Sequence, residues 1–256
     1  MDLHFNTALA EGYKSASQIA RILTEDWMSH NMYCPICGAV SISKAPANAP
    51  VKDYICDSCK SQFELKSKKC ISDSYQNKVN DGVYQTMIER ITSLDNPHFF
   101  FMHYDQHKVN NLIIVPKHFF VPHYIEKRKP LNDHARRAGW TGCNILLGEI
   151  PDSAKIYIVR NSIVADKEQV IEHYNRICAL RTNNIESRGW LTDVLRCTER
   201  LDDTFSLRQM YSFSSELQIS HPQNHNIEAK IRQQLQILRD KGFLRFVSPG
   251  LYKKIK

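Results

Sequence analysis

Apolar side chains at Ala16, Ile19, Ala20, Leu23 and Trp27 recur at intervals of three and four, which predicts a helix over 7–30 ending at the polar pair His30-Asn31. Further on the period falls to two. Val51–Cys56 and Gln62–Lys68 alternate as strands, and in the second Phe63, Leu65 and Ser67 face one way while Glu64 and Lys66 face the other. A helix is expected over Asp81–Thr92, then apolar strands at His98–Tyr104, Val109–Val115 and Lys155–Val159, then a helix over Asp166–Leu180 capped by Asp166. Segment 181–189 (RTNNIESRG) is polar, ends in glycine and has no apolar period, so it reads as a linker. Beyond it, helices at Trp190–Leu201, Leu207–Leu217 and Ile227–Asp240 precede FLRFVSPGLYKKI, two short strands around a Ser-Pro-Gly turn. Three helices followed by a hairpin is the order of a winged helix, an order also met in three-helix modules that bind no DNA. The expected division is therefore 1–182 and 183–256.

Composition adds little to the fold but narrows the setting. With 42% apolar and 24% charged residues in 256, the chain can bury an ordinary globular core. No apolar run approaches the ~18 residues of a membrane helix, and MDLHFNTALAEG carries no basic-then-apolar signal, so a cytoplasmic protein is expected. The net charge of +7 is mildly basic and densest after Asn183, where twelve basic side chains face eight acidic ones. That balance admits a polyanionic partner without requiring one.

Four of the eight cysteines form two C-x2-C pairs, Cys34/Cys37 and Cys56/Cys59, inside a ribbon spanning about 33–60. Two such pairs on facing turns close a tetrahedron of thiolates around Zn2+ with no open position, so the site is expected to be structural. Nucleases of the His-Asn-His type insert a catalytic hairpin between such knuckles, but Gly38–Ile55 contains no histidine. His103 and His107 fall on a strand and turn, where surface positions are expected.

A second constellation is Asp53, then Glu64 and Lys66. Residues two apart on a strand share a face, and an adjacent Asp53 would complete a group of two carboxylates and one ammonium. Hard carboxylate oxygens hold Mg2+ while leaving room for water and phosphate oxygens, and an ammonium offsets the charge of phosphodiester hydrolysis. The spacing alone also fits a solvated strand face. Apolar Phe63 and Leu65 alternating with the charged pair, and a zinc ribbon placed where it could fix Asp53, favour the catalytic reading. Glu11 and Glu25, on the first predicted helix, stand as further acidic candidates.

The stretches ARILTEDW, YCPICG, Asp53, FELKSKK and NDGVY resemble the DpnI family of methyladenine-directed type II restriction endonucleases. NPHFFF, RKPLNDHARRAGWTGCNI and IRQQLQILRDKGF extend the likeness across nearly the whole chain in order. The resemblance implies an α/β PD-(D/E)xK (restriction-endonuclease-like) domain, a mixed sheet flanked by helices with an embedded zinc ribbon, followed by a C-terminal winged helix. It implies Mg2+-dependent cleavage of double-stranded DNA at GATC carrying N6-methyladenine, by a monomer or a transient dimer. Asp53, Glu64 and Lys66 match the catalytic triad, with Asp53 and Glu64 on the metal, and the four knuckle cysteines match the zinc ligands. Lys52 stands where the motif has proline, which shapes the turn only.

Candidate DNA contacts follow. In the helix Ile227–Asp240, Ile227, Ile231, Leu235 and Leu238 share one face; Lys230, Arg232, Gln233 and Gln236 lie on others and suit either major-groove reading or a protein interface. Lys253 in the hairpin and Lys68 beyond Lys66 are phosphate candidates. Arg136, Arg137 and Trp140 share a glycine-containing loop, with Trp140 either a core residue or an apolar wall for an adenine methyl group. Two rival functions remain: a nuclease of this fold cutting unmethylated GATC, and a zinc-ribbon and winged-helix regulator without hydrolysis.

Overall fold

The computed structural model describes residues 1–46, 52–70, 77–93 and 95–255. Helix α1 (Ala16–Asn31) follows a separate 3-10 turn at Thr7–Ala10 instead of starting at residue 7. Gly12, at φ +83°, turns the chain between them in a conformation that side chains disfavour. Three strands of unequal length come next, β1 (Ser43–Lys44), β2 (Tyr54–Ile55) and β3 (Gln62–Lys69). The strand expected from Val51 is thus confined to β2, and Val51 lies outside the described residues.

The helix expected at Asp81 begins only at Tyr84. Strand β4 (Val79–Val83) takes the first three of those residues, and helix α2 (Tyr84–Thr92) the rest. Strands β5 (His98–Tyr104) and β6 (Val109–Val115) are buried along their whole length, His103 included, so the surface position expected for that histidine holds only for His107. Strands β7 (Ile125–Lys127), β8 (Gly142–Ile145), β9 (Ile156–Arg160) and β10 (Ile163–Val164) precede helix α3 (Lys167–Cys178), which Asp166 caps by accepting from the Gln169 amide at 3.0 Å.

The main sheet has the order β1-β2-β3-β5-β6-β9-β10. It is mixed: β3 and β5 run parallel, and every other neighbour is antiparallel. A smaller antiparallel sheet, β4-β8-β7, sets Asp81 opposite Cys143 and Val83 opposite Gly142.

Helix α4 (Ile185–Glu199) occupies half of the expected linker. Asn184 caps it through the Ser187 amide, and its run from Arg188 to Leu195 is buried. The polar-looking start misleads because neighbours from both parts of the chain cover it. Strand β11 (Thr204–Ser206) follows. The helix expected over Leu207–Leu217 is split into α5 (Leu207–Tyr211) and α6 (Ser214–Ser220). Helix α7 (Ile227–Asp240) buries Ile227, Ile231, Leu235 and Leu238, the expected face, with Gln234 beside them. Strands β12 (Leu244–Ser248) and β13 (Leu251–Lys254) close the hairpin in a sheet of order β11-β13-β12.

Candidate functional site

The two C-x2-C turns are built alike. The Gly38 amide donates to Cys34 O and the Lys60 amide to Cys56 O, both at 2.9 Å, and residues 38 and 60 both have left-handed backbones. Each turn is closed by a second bond, Cys34 N–H to Ala39 O at 2.8 Å and Cys56 N–H to Ser61 O at 2.9 Å. All four sulfurs lie within 4.8 Å of one another, with Cys34–Cys59 at 3.7 Å and Cys37–Cys56 at 3.6 Å. A tetrahedron with Zn–S bonds of ~2.3 Å has edges of ~3.8 Å, so the set fits one zinc ion.

The second knuckle grows directly out of β2, and Asp53 sits at its other end. Three bonds hold Asp53. Its amide donates to Phe63 O at 2.9 Å, its carbonyl accepts from Ala45 N–H at 2.8 Å, and its carboxylate Oδ2 accepts from Leu65 N–H at 2.8 Å. The β2–β3 ladder ends at Tyr54–Phe63, and the Asp53 side chain takes over the next amide of β3. That amide lies between Glu64 and Lys66.

Glu64 and Lys66 share one face of β3 and touch: the ammonium donates to Glu64 Oε1 and to Asp81 Oδ1, while Arg90 of α2 pairs with Glu64 Oε2. Side-chain exposures of 11–14% put this four-membered chain of charges at the edge of the interior. Burial costs the Glu64 anion more than Lys66 and Arg90 return, so its carboxyl is raised above the usual range. Burial opposes the Lys66 ammonium, but Glu64 and Asp81 outweigh it and hold the lysine protonated.

The group of two carboxylates and one ammonium therefore exists, but its second carboxylate is Asp81, not Asp53. Asp53 instead lines a neighbouring cleft of about 370 Å³ with Glu25, Arg21 and Leu65. Glu25 is ion-paired there to Lys44 and Arg21, and Glu11 is not part of the lining. Lys68 is half-buried on the face of Glu64 and Lys66 and pairs in register with His103.

The small sheet carries the Trp140 loop to the strand that bears Asp81. Tyr84 N–H donates to Thr141 O at 3.1 Å, next to the Val83–Gly142 pair. Half-buried Trp140 lies against Gly142, where a Cβ would come within 2.7 Å of the indole; Arg136 and Arg137 are exposed on the same loop. On α7, Arg232, Gln233 and Gln236 are exposed, Arg232 bonding to the Tyr211 hydroxyl. Half-buried Lys230 lies 6.0 Å over the Trp190 ring. In the hairpin Lys253 is exposed, whereas Lys254 donates to Leu201 O at 2.6 Å and is spent inside the fold.

Comparison with known families matches the Dam-replacing family over residues 1–183 and the Dam-replacing HTH domain over 186–254. The first match alone covers more than half of the sequence and contains both the cysteine tetrahedron and the charged face of β3. The chain therefore belongs to the DpnI, or Dam-replacing, family of restriction endonucleases and carries that family's helix-turn-helix domain at its C-terminal end.

Proposed function

We propose that the protein is a Mg2+-dependent type II restriction endonuclease of the PD-(D/E)xK kind that hydrolyses double-stranded DNA at GATC carrying N6-methyladenine. One observation carries the reading: Lys66 contacts Glu64 on a single strand face while Asp53 holds the amide between them. Glu64 and, from the adjoining cleft, Asp53 would hold the ion, and their carboxylate oxygens suit a hard cation. When bound, Mg2+ supplies charge stabilisation at the phosphate and acidifies a water. Lys66 is protonated at neutral pH because two carboxylates raise it, so it orients the attacking water and neutralises charge; it is not the base. Arg90 pairs with Glu64 Oε2, so a bound cation would compete with the guanidinium for that carboxylate.

The domains divide in this reading into residues 1–182, which cut, and 183–256, which bind. Trp140 walls the methyl group, with Arg136, Arg137, Arg232, Gln233, Gln236 and Lys253 on bases and phosphates. One buried methyl group is worth ~0.8 kcal/mol, about a fourfold preference. Four such contacts, two on each domain, would reach ~3 kcal/mol, on the order of a hundredfold, so methyl sensing is shared between the domains. Zinc is structural and Mg2+ catalytic.

Plasmids from adenine-methylating and non-methylating hosts test this directly. Cleavage of the methylated plasmid alone is expected, and Trp140→Ala should narrow the difference. Cutting only the unmethylated plasmid would reassign the substrate, and cutting neither, with specific binding intact, would leave a regulator.

A further inference from the structure

The hairpin of β12 and β13 carries charge on one face and apolar surface towards its tip. Arg245 lies directly opposite Lys253, both exposed, and Thr204 of β11 completes the row. Like charges in register on neighbouring strands repel, an arrangement that an anion relieves. From Leu244 to Lys254 the sequence holds Arg245, Lys253 and Lys254 and no carboxylate.

Phe246 and Val247 follow Arg245 and are 46% and 49% exposed, although both are strand residues. Their exposure has a local cause. The ladder passes from the Phe246–Tyr252 pair straight to Ser248–Leu251, so Val247 is an extra residue with no register partner on β13. Such a bulge bends the strand and re-aims its side chains. Phe246 is nonetheless braced. Its ring meets Tyr252 edge-on at 6.0 Å, and buried Tyr252 stacks on buried Phe205 at 5.8 Å. An aromatic column thus runs from the interior to the hairpin tip, where Gly250, at φ +74°, closes the turn.

Phosphates attract the cations but gain nothing from phenylalanine or valine. An apolar pair beside cations fits a partner whose negative charge borders an apolar interior. The minor groove of a duplex is such a partner, with sugars and base edges between two rows of phosphate. Its ~6 Å width excludes a helix but admits the tip of a hairpin. Residues 241–243 alone separate α7 from β12, which keeps the hairpin within reach of the groove next to the one α7 occupies.

We infer that the hairpin inserts Phe246, with Val247 beside it, into the DNA minor groove at a base step flanking the α7 contact, while Arg245 and Lys253 hold the neighbouring phosphates. An apolar wedge partly unstacks the step it enters, so it favours steps that deform easily, pyrimidine–purine over A-tract. The flank of the site is then read through its stiffness and not through its base edges. This wedge rests on the duplex binding that the helix-turn-helix domain brings, and not on hydrolysis or methyl recognition.

Anisotropy titrations of the zinc-loaded full chain without added Mg2+ test it, on duplexes carrying one methylated GATC and either a TA step or an A-tract in the flank. Binding about fivefold tighter to the TA flank is expected. A 2-aminopurine placed at the entered step should brighten as it unstacks. Phe246→Ala should weaken binding about tenfold and erase both signals at an unchanged salt slope, and Phe246→Leu should restore them. Val247→Ser, outside the aromatic column, should weaken binding about threefold and covers a Phe246→Ala protein that folds poorly. Arg245→Gln should instead lower the slope of log affinity against log salt by ~1 and keep the flank preference. Equal binding of the two flanks, no brightening at any flanking position, or wild-type affinity in Phe246→Ala and Val247→Ser would each overturn the wedge. So would an oligomer that dissociates in Phe246→Ala with DNA affinity unchanged, which makes the patch a contact between copies. A wild-type protein that binds neither duplex removes the duplex reading along with the wedge.

Discussion

Asp81 is the residue the sequence did not reveal. Its place beside Lys66 depends on β4 pairing with β8, about sixty residues further along, and nothing local in NDGVY reports that pairing. The alternation of FELKSKK, by contrast, gave the shared face of Glu64 and Lys66 at once, because strand geometry alone decides it. Since Asp81 helps keep Lys66 protonated, Asp81→Asn should move the alkaline limb of the cleavage pH profile to lower pH while leaving the enzyme active. Lys66→Ala should cost about 10²–10³-fold in kcat at every pH. An Asp81→Asn profile that coincides with wild type would remove the aspartate from the site.

Among elements, the four-cysteine ribbon was legible from spacing and α4 was not. C-x2-C fixes a turn whatever surrounds it, whereas a helix whose first turns carry Glu, Ser, Arg and Gly betrays its burial only when its neighbours are known. Gly189 shows the reason: a Cβ there would come within 3.4 Å of His221 and 3.6 Å of His123, rings that precede and follow the helix in sequence. At the other end β2 is two residues long, hung between the second knuckle and Asp53. Cys37→Ser should therefore release the zinc and abolish cleavage at saturating Mg2+, although no residue of β3 has changed. Metal analysis alongside a plasmid assay checks this; full cleavage by zinc-free protein would uncouple the ribbon from Asp53.

At the scale of the molecule, Asp193 of α4 ties the parts together. It accepts from the Tyr124 hydroxyl at 2.7 Å, and His123 Nε2 and His221 Nε2 lie 3.1 and 2.8 Å from its two oxygens. His221 also stacks on Trp190, ring centroids 3.8 Å apart. Burial opposes the Asp193 anion, but bonds from His123 and His221 outweigh it and hold the carboxyl well below the ordinary range. A carboxyl lowered in the fold stabilises above its unfolded pKa of ~4 and loses that contribution as pH falls. His98 and His118, pushed by burial to about 3, behave with the same sign over a different window. Their contribution is complete above ~6.5 and drains away between there and about 3, at ~1.4 kcal/mol per pH unit for each. Thermal stability should thus decline from pH 6.5 downward, before ordinary carboxylates titrate, and His118→Gln should flatten that decline. A melting temperature constant from pH 7 to pH 4.5 would contradict it.

Of the four sulfurs in the ribbon, two, on Cys37 and Cys59, belong to exposed residues. An electrophile or oxidant arriving from solvent reaches them first and needs no access to the charges on β3. Thiol chemistry at the surface would then act on the ribbon first, at a distance from the charged face of β3.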